Sequence, residues 1–202
     1  MDAAHWDDAY ARRGAHGVSW ARADAGPSVA LLELVPAPVE SAIDIGGGAS
    51  PVAAALMNRG IADVAVLDIS PTALHAARRA MEGRAAEVEW IPADVRAWSP
   101  ARTWGLWHDR AVFHFMVTDA DRRAYRSALA SALAPGGHVI AAAFAPDGPG
   151  QCSGLPVQRY AAAGLVAALG DDLVLRGEHR EVHVTPSGVE QPFTWVLAER
   201  IA

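Results

Sequence analysis

Three consecutive glycines, Gly46 to Gly48, come directly after a short apolar run that contains one carboxylate, Asp44. The run from Val39 to Ile45 predicts a buried strand, and the residues after Pro51 have the periodicity of a helix. Glycines at such a junction let the backbone turn sharply and leave no side chain between the turn and a ligand. The first turn of the helix adds N–H groups that have no partner within the helix. This stretch therefore predicts a strand, a tight ligand-binding turn and a helix.

Strand and helix patterns alternate along the rest of the chain. Further strands are predicted at Asp63–Asp68, Val88–Ile91, Trp104–Asp109, His138–Phe144, Leu173–Val184 and Phe193–Arg200. Helices are predicted over residues 4–13, 27–35, 51–59, 71–82, 119–133 and 160–169, with a long loop over 145–159. A turn at Pro186-Ser187-Gly188 joins the last two strands as a hairpin. The expected fold is α/β, a Rossmann-like doubly wound seven-stranded sheet that is mostly parallel, with an antiparallel C-terminal hairpin strand.

The length of 202 residues and the 51% hydrophobic content are those of one ordinary globular domain. We divide residues 1–202 into an N-terminal helical arm, 1–36, and a Rossmann-like core, 37–202. The net charge of −6 argues against nucleic acid as a partner, since phosphate binding needs a basic surface. No apolar run is long enough to span a membrane and no secretory signal pattern is seen, so a cytoplasmic location is expected. The sequence indicates no particular oligomeric state.

The basic residues and the cysteine count exclude several kinds of chemistry. All 17 basic residues are arginines, which excludes Schiff-base chemistry on lysine and a phosphate-loop lysine. The single cysteine, Cys152, excludes an internal disulfide and a cysteine-based zinc site. The eight histidines are scattered along the chain. No metal site is therefore expected.

Two acids stand at the ends of predicted strands, level with the glycine turn. Asp68 lies 22 residues beyond Gly46, close to the spacing of an acid that binds the hydroxyls of a ribose. The alternative role for it, a helix N-cap, is already filled by Ser70. Asp94 follows the third strand. It can accept a hydrogen bond from an adenine amino group, or it can cap the short turn over Val95–Trp98.

Three aromatic residues precede the first strand. Trp6 and Tyr10 are four residues apart on the first predicted helix, so they share one face, and Trp20 ends an extended segment over 18–20. One interpretation is a lid whose rings cover a bound ligand and exclude water. In the other interpretation the rings only anchor the N-terminal arm to the core.

Polar residues also follow the fourth strand, at the edge where such sheets bind ligands. Asp109 and Arg110 stand at the strand end, and His114 lies four residues further on. Arg110 can hold an anion and His114 can act as a base. The alternatives are a partly buried ion pair between Asp109 and Arg110, and a histidine that only packs between two phenylalanines. Cys152 has no histidine–acid pattern around it, so an inert thiol or a loop contact is expected.

The glycine turn departs from the dinucleotide pattern G-x-G-x-x-G, because Pro51 stands at the last glycine position. The chain instead resembles the class I S-adenosylmethionine-dependent methyltransferases from end to end, through four motifs in order: Asp44-x-Gly46-x-Gly48, Asp68, Asp94 and Leu133-Ala134-Pro135-Gly136-Gly137. Within that family it resembles the thiopurine S-methyltransferase branch, through Trp6-Asp7-Asp8-Ala9-Tyr10 and Trp107-His108-Asp109-Arg110-Ala111. Relative to the Trp-Asp-Arg-Gly signature of that branch, His108 is an insertion, and the thiopurine substrate does not carry over.

The resemblance implies metal-independent transfer of a methyl group from S-adenosylmethionine to a sulfur, nitrogen or oxygen atom of a small-molecule acceptor. Catalytic roles are then expected for Arg110, His114 and Asp109. Cofactor contacts are expected from Trp6, Tyr10, Trp20, Asp44, Gly46, Gly47, Gly48, Asp68, Ile69, Asp94, Val95 and Arg110. The alternatives are a methyltransferase acting on protein side chains or RNA, a cofactor-binding module without activity, and a nicotinamide-dependent dehydrogenase.

Overall fold

The computed structural model describes residues 2–36, 38–81 and 83–201. Its helices are α1 Ala3–Gly17, α2 Gly26–Leu32, α3 Val52–Asn58, α4 Pro71–Ala80, α5 Asp119–Ala132 and α6 Ala162–Leu169. Its strands are β1 Ser41–Ile45, β2 Asp63–Asp68, β3 Val88–Pro92, β4 Trp104–Arg110, β5 Leu133–Phe144, β6 Gln151–Cys152, β7 Leu155–Pro156, β8 Leu173–Val184 and β9 Glu190–Arg200.

Seven of these strands form one sheet in the order β3-β2-β1-β4-β5-β9-β8. Strands β1 to β5 pair in parallel, and β9 runs antiparallel to both of its neighbours, β5 and β8. The predicted fold class is therefore confirmed, including the antiparallel C-terminal hairpin. The central strands are buried on both faces, which explains why their sequences are nearly continuous apolar runs.

Two hydrophobic clusters fill the two sides of the sheet. Trp107, Phe113 and Tyr125 belong to one of them, in which the Trp107 indole N–H donates to the Tyr125 hydroxyl at 2.9 Å. Leu106, Phe144 and other alternating residues of the same strands belong to the opposite cluster. The alternation matters for the site, because each residue of β4 faces the opposite side of the sheet from the next one.

Two helices begin at residues whose side chains cap them. Ser70 caps α4, as predicted, since its hydroxyl accepts from the Ala73 N–H at 3.0 Å. Thr118 caps α5, since its hydroxyl accepts from the Asp121 N–H at 3.1 Å.

Several predicted boundaries are wrong by a few residues. The first helix continues to Gly17 across a break at Gly14, where φ is 66°, and residues 18–20 form a turn instead of an extended segment. Helix α2 ends at Leu32, three residues early, and α4 ends at Ala80; the predicted end at Glu82 lies outside the described residues. The 145–159 loop contains the small hairpin β6–β7. Most of these differences fall at helix ends, where the last turn has backbone groups without partners inside the helix and is defined least sharply by the sequence.

The N-terminal arm lies across the carboxyl end of β2. Helix α1 packs against α4, and the Asp7 carboxylate accepts from the Ser70 hydroxyl at 2.5 Å and from the Thr72 N–H at 3.2 Å. These bonds hold the face of α1 that carries Trp6 and Tyr10 over the edge of the sheet. The division into an arm and a core stays a prediction, and its boundary at Ala37 lies outside the described residues.

Candidate functional site

A cavity with an empty volume of about 660 Å³ opens at the carboxyl ends of β1, β2 and β4. This is the edge at which doubly wound sheets bind ligands. Its walls come from α1, from the loops after β1, β2, β3 and β4, and from the small hairpin; they are formed by Trp6, Tyr10, Trp20, Ile45, Gly46, Leu67, Asp68, Ile69, Ala93, Val95, Arg110, Ala111, Val112, Phe115 and Cys152.

A second, more polar chamber of about 540 Å³ adjoins the first on the other side of Gly46. The two chambers share Tyr10, Trp20, Ile45, Gly46 and Arg110. The second chamber adds charged and polar groups that the first one lacks: Arg22, Asp24, Ser28, Asp44, Ser50 and His108. One elongated ligand can thus occupy both chambers, with an apolar part in the first and a charged part in the second.

The three N-terminal aromatic residues form a cluster over the first chamber. The Trp20 ring makes edge contacts with Trp6 and Tyr10, at centroid distances of 5.3 and 5.7 Å. The Trp20 indole N–H donates to the Tyr10 hydroxyl at 3.1 Å, and Trp6 also contacts Phe115 at 5.2 Å. The structure brings these rings together on the cavity wall, as both the lid and the anchor interpretations require.

Asp68 lies at the carboxyl end of β2 and is almost completely buried. One of its oxygens accepts from the Ser70 N–H at 2.8 Å. The other oxygen lies 2.8 Å from the place that a Cβ on Gly48 would take, and the Tyr10 hydroxyl lies equally close to it. Burial raises the pKa of Asp68 to about 7 and that of Tyr10 to about 12. Ionisation of this buried carboxyl is costly in the free protein, so hydrogen-bond donors from a ligand would stabilise its charged form.

Asp44, on β1, faces the second chamber and is 2% exposed. Its Oδ1 lies 2.6 Å from Nδ1 of His108, and Nε2 of His108 lies 2.8 Å from the Ser28 hydroxyl. Its Oδ2 has no hydrogen-bond partner among the described residues. A buried carboxylate oxygen without a partner is costly, so this oxygen indicates a place for a cationic or N–H-bearing ligand group.

Arg110 stands between the two chambers. Its Nη1 donates to the Trp20 carbonyl at 2.8 Å, whereas Nε and Nη2 are buried without a hydrogen-bond partner among the described residues. The guanidinium lies over the Phe193 ring at 5.3 Å. Burial lowers the pKa of Arg110 to about 10, so the group keeps its charge at neutral pH. Because Nε and Nη2 of this charged guanidinium have no partner among the described residues, their N–H groups are available to bind an anion.

Asp109 and His114 lie outside both chambers. Both oxygens of Asp109 are used within the protein, by the N–H groups of Val112 and Phe113 at 2.7 and 2.9 Å and by the Tyr125 hydroxyl. Asp109 thus caps the turn after β4 instead of pairing with Arg110, and the predicted ion-pair alternative is wrong. The His114 ring is fully buried and packs on two phenylalanines, and burial lowers its pKa to about 3. These positions speak against direct catalytic roles, which stay predictions.

The Asp94 carboxylate accepts from the backbone N–H of Arg96 at 2.9 Å and pairs with the Arg96 guanidinium at 2.6 Å. These bonds cap the turn after β3, the alternative role considered for this residue. They hold the carboxylate away from the cavity, whose walls instead include Val95 and, from the β2 loop, Ile69. An adenine contact by Asp94 stays a prediction without support from this geometry.

Sequence reasoning missed several polar residues of the second chamber, among them His108 and Ser28. His108 was visible only as an insertion, and its partner Asp44 lies on a neighbouring strand. Ala111 also lines the cavity and has a positive φ of 70°, which is unusual for a residue with a side chain. Cys152 lines the first chamber as well, and burial raises the pKa of its thiol.

Two features of the described residues bear on function. No group of three or more His, Cys, Asp or Glu residues there is placed to hold a metal ion. Over the same ranges, no helix has the length and apolar character needed to cross a lipid bilayer.

Residues 42–137 match the family described as "Methyltransferase domain". Nodulation protein S of Rhizobium tropici is 28% identical over 110 residues, which make up 54% of this chain and 45% of that protein. The chain therefore matches less than half the length of this relative. The matched segment begins in β1 and ends within β5, so it contains the glycine turn, Asp68 and Arg110.

Solved structures share the fold over nearly the whole chain. The N-methyltransferase NodS of Bradyrhizobium japonicum WM9 in complex with S-adenosyl-L-homocysteine has a TM-score of 0.69 at 17% identity, with 96% of this chain and 97% of that one covered. A structure from "Conversion of a Disulfide Bond into a Thioacetal Group during Echinomycin Biosynthesis" has a TM-score of 0.75 at 21% identity, with 98% and 93% covered.

Residues 42–137 thus resemble a methyltransferase domain, and nearly the whole chain shares its fold with solved methyltransferases, among them an N-methyltransferase in complex with S-adenosyl-L-homocysteine. The resemblance to the thiopurine S-methyltransferase branch stays a prediction.

Proposed function

We propose that the protein transfers the methyl group of S-adenosylmethionine to a sulfur or nitrogen nucleophile of a small molecule, without a metal. The observation that carries the proposal is the pair of joined chambers, with one buried acid in each and Arg110 between them. S-adenosylmethionine has the matching parts: an adenosine, a sulfonium at its centre, and an amino acid end.

The first chamber suits the adenosine. Asp68 stands at the end of β2, where a carboxylate can accept both hydroxyls of a ribose. Because its second oxygen lies beside the glycine turn, the ribose would lie next to that turn. Ile69, Ala93 and Val95 offer apolar walls on which an adenine ring can pack.

The second chamber suits the charged amino acid end of the cofactor. The unpartnered oxygen of Asp44 is a ligand for the ammonium group. This arrangement leaves the sulfonium methyl group near Arg110 and Gly46, where the two chambers meet. Here the apolar rings of Trp6 and Phe115 can exclude water from the reacting atoms.

Methyl transfer from a sulfonium is an in-line displacement: the acceptor lone pair forms the new bond to carbon while the C–S bond electrons return to sulfur. The protein must align donor and acceptor and keep water out. A thiol or amine acceptor can react without a strong base, which agrees with a His114 ring that is buried and a poor proton acceptor. Arg110 would hold an anionic acceptor or stabilise a thiolate at the junction.

A binding experiment followed by an acceptor screen tests the proposal. Calorimetry should detect S-adenosylmethionine and S-adenosylhomocysteine but not NAD. A screen of thiols, amines, phenols and peptides should then release S-adenosylhomocysteine with a small molecule, and excess chelator should not change the rate. NAD binding without S-adenosylmethionine binding would contradict the cofactor. Activity on folded proteins alone would contradict the acceptor class, and loss of activity with chelator would contradict metal independence.

A further inference from the structure

A buried chain of hydrogen bonds connects Ser28, His108 and Asp44, and of its three members only Asp44 has a role in the function proposed above. Asp44 and His108 are direct neighbours on the parallel strands β1 and β4, so their side chains leave the same face of the sheet. The three residues are 4%, 1% and 2% exposed, and the two links of the chain measure 2.8 and 2.6 Å. Such short, fully buried links fix the position of each member.

The proton positions follow from the partners. An ionised Asp44 only accepts hydrogen bonds, so Nδ1 of His108 carries the proton that faces Oδ1. Nε2 then accepts from the Ser28 hydroxyl, and this assignment gives each of the three groups a hydrogen-bond partner.

The chain of hydrogen bonds uses only one of the two oxygens of Asp44, Oδ1. Oδ2 is buried without a hydrogen-bond partner among the described residues. It lies so close to Gly47 that a Cβ there would overlap with it, which places the oxygen against the glycine turn at the wall of the second chamber. Rotation of the carboxylate about its own axis would exchange the two oxygens, and the bond to Nδ1 opposes that rotation.

We propose that His108, supported by Ser28, is a positioning residue that holds the second oxygen of Asp44 toward the ammonium group of the cofactor. This inference rests on the proposed function, because it assumes that the amino acid end of S-adenosylmethionine occupies the second chamber. His108 lines that chamber as well, but its two ring nitrogens are bonded to Asp44 and Ser28, so it acts through Asp44. The positioning role predicts selectivity: the site should recognise the amino acid end of a ligand separately from the adenosine.

Two ligands separate this role from a merely structural one. S-adenosylhomocysteine carries adenosine, thioether and amino acid end, whereas 5′-methylthioadenosine carries the same adenosine and thioether but no ammonium or carboxylate group. If His108 positions Asp44, its loss should weaken only the first ligand. If His108 only supports the fold, its loss should weaken both ligands alike.

Affinities for both ligands are measured by calorimetry on the full chain and on three variants. His108→Leu should lose about tenfold or more in affinity for S-adenosylhomocysteine and change by less than about threefold for 5′-methylthioadenosine, as expected for a lost contact to a charged group. His108→Asn keeps a donor near Nδ1 and should recover most of the loss. Ser28→Ala should show the same preference for the first ligand, with a smaller effect.

His138→Leu is the matched control, since His138 is another buried histidine on the neighbouring strand β5, away from both chambers. It should leave both affinities unchanged. Equal losses for the two ligands in His108→Leu, or unchanged affinity for both, would overturn the positioning role. If His108→Leu fails to fold, Ser28→Ala gives the same comparison. A wild-type protein that binds neither ligand would instead contradict the proposed function.

Discussion

Replacing Asp68 by asparagine should make the free protein more stable while it weakens cofactor binding. The Asp68 carboxyl is buried, and its pKa in the folded protein is raised from 3.8 to about 7, mainly by burial. A raised pKa in an acid means that the folded state binds the proton more tightly than the unfolded state does. Ionisation of Asp68 therefore reduces stability as the pH rises from about 4 to about 7.

The size of this effect follows from the same two values. At about 1.4 kcal/mol for each unit between 3.8 and about 7, the ionised carboxylate costs the folded state up to about 4 kcal/mol above pH 7. Asparagine has no charge to bury and keeps an oxygen for the Ser70 N–H, but it loses the acceptor for the Gly48 N–H. Subtracting about 1–3 kcal/mol for that bond leaves an expected net gain of about 1–3 kcal/mol at pH 8.

Denaturant unfolding at pH 5 and pH 8 measures the effect. The advantage of Asp68→Asn should be largest at pH 8 and shrink at pH 5, where the wild-type carboxyl is already mostly protonated in the folded protein. Asp147→Asn is a control, because Asp147 is an exposed acid paired with Arg180, and it should change stability little at either pH. An asparagine variant that is less stable than wild type at pH 8 would refute the reasoning, as would an equal difference at both pH values.

The same variant should bind S-adenosylmethionine more weakly, by about 1.5–3 kcal/mol, which is the range for hydrogen bonds to a charged group. Asp68→Ala should show a loss of the same size with the fold intact. Equal affinity in mutant and wild type would refute the assignment of Asp68 to the ribose. If replacing Asp68 both stabilises the free protein and weakens cofactor binding, the residue serves binding and not stability. The stability and affinity measurements therefore test the same assignment.

Four further predictions follow from the cavity walls. Gly46→Val should abolish cofactor binding measured by calorimetry, since Gly46 has a positive φ of 64° and the Cβ of a valine there would overlap with Val112. Normal binding by this variant would exclude the turn as the cofactor site. Removal of residues 1–20 should lower affinity and turnover while the sheet still folds by circular dichroism, whereas full activity would leave only the anchoring role for the three aromatic residues. Arg110→Ala should lower kcat/KM at least tenfold, which is about 1.4 kcal/mol, and most of all for anionic acceptors. Arg110→Lys should recover only part of this loss, because lysine lacks the planar guanidinium group. An unchanged kcat/KM in Arg110→Ala would show that Arg110 is not part of the reacting site. Ala111→Gly should raise the free energy of unfolding by about 0.5–1 kcal/mol, measured by denaturant unfolding. Glycine removes the strain of the positive φ at this position, and that gain is larger than the free energy lost to the greater entropy of the unfolded chain. A less stable variant would contradict this.

The sequence alone determined the order of strands and helices and the position of the glycine turn. Strands Asp63–Asp68 and Leu173–Val184 have the predicted bounds, and Ser70 caps the helix that it was expected to cap. These features depend on neighbouring residues, through periodicity, capping and turn chemistry, so the local sequence carries them. The ends of β1, β2 and β4 meet at one edge for the same reason, since parallel strands joined by helices must all point one way.

Only the tertiary structure decided which polar groups at that edge are free to bind a ligand. Asp109 and Asp94 have suitable sequence positions, but their oxygens are occupied by backbone N–H groups and by Tyr125 and Arg96. The pairing of Asp44 with His108, 64 residues apart, depends on the register of two strands that the sequence places far from each other. Pairing register and burial are set by packing across the whole sheet, and a shift of one residue would turn His108 to the opposite face. The oxygen of Asp44 and the N–H groups of Arg110 that have no hydrogen-bond partner among the described residues are therefore properties of the fold, which no stretch of sequence displays by itself.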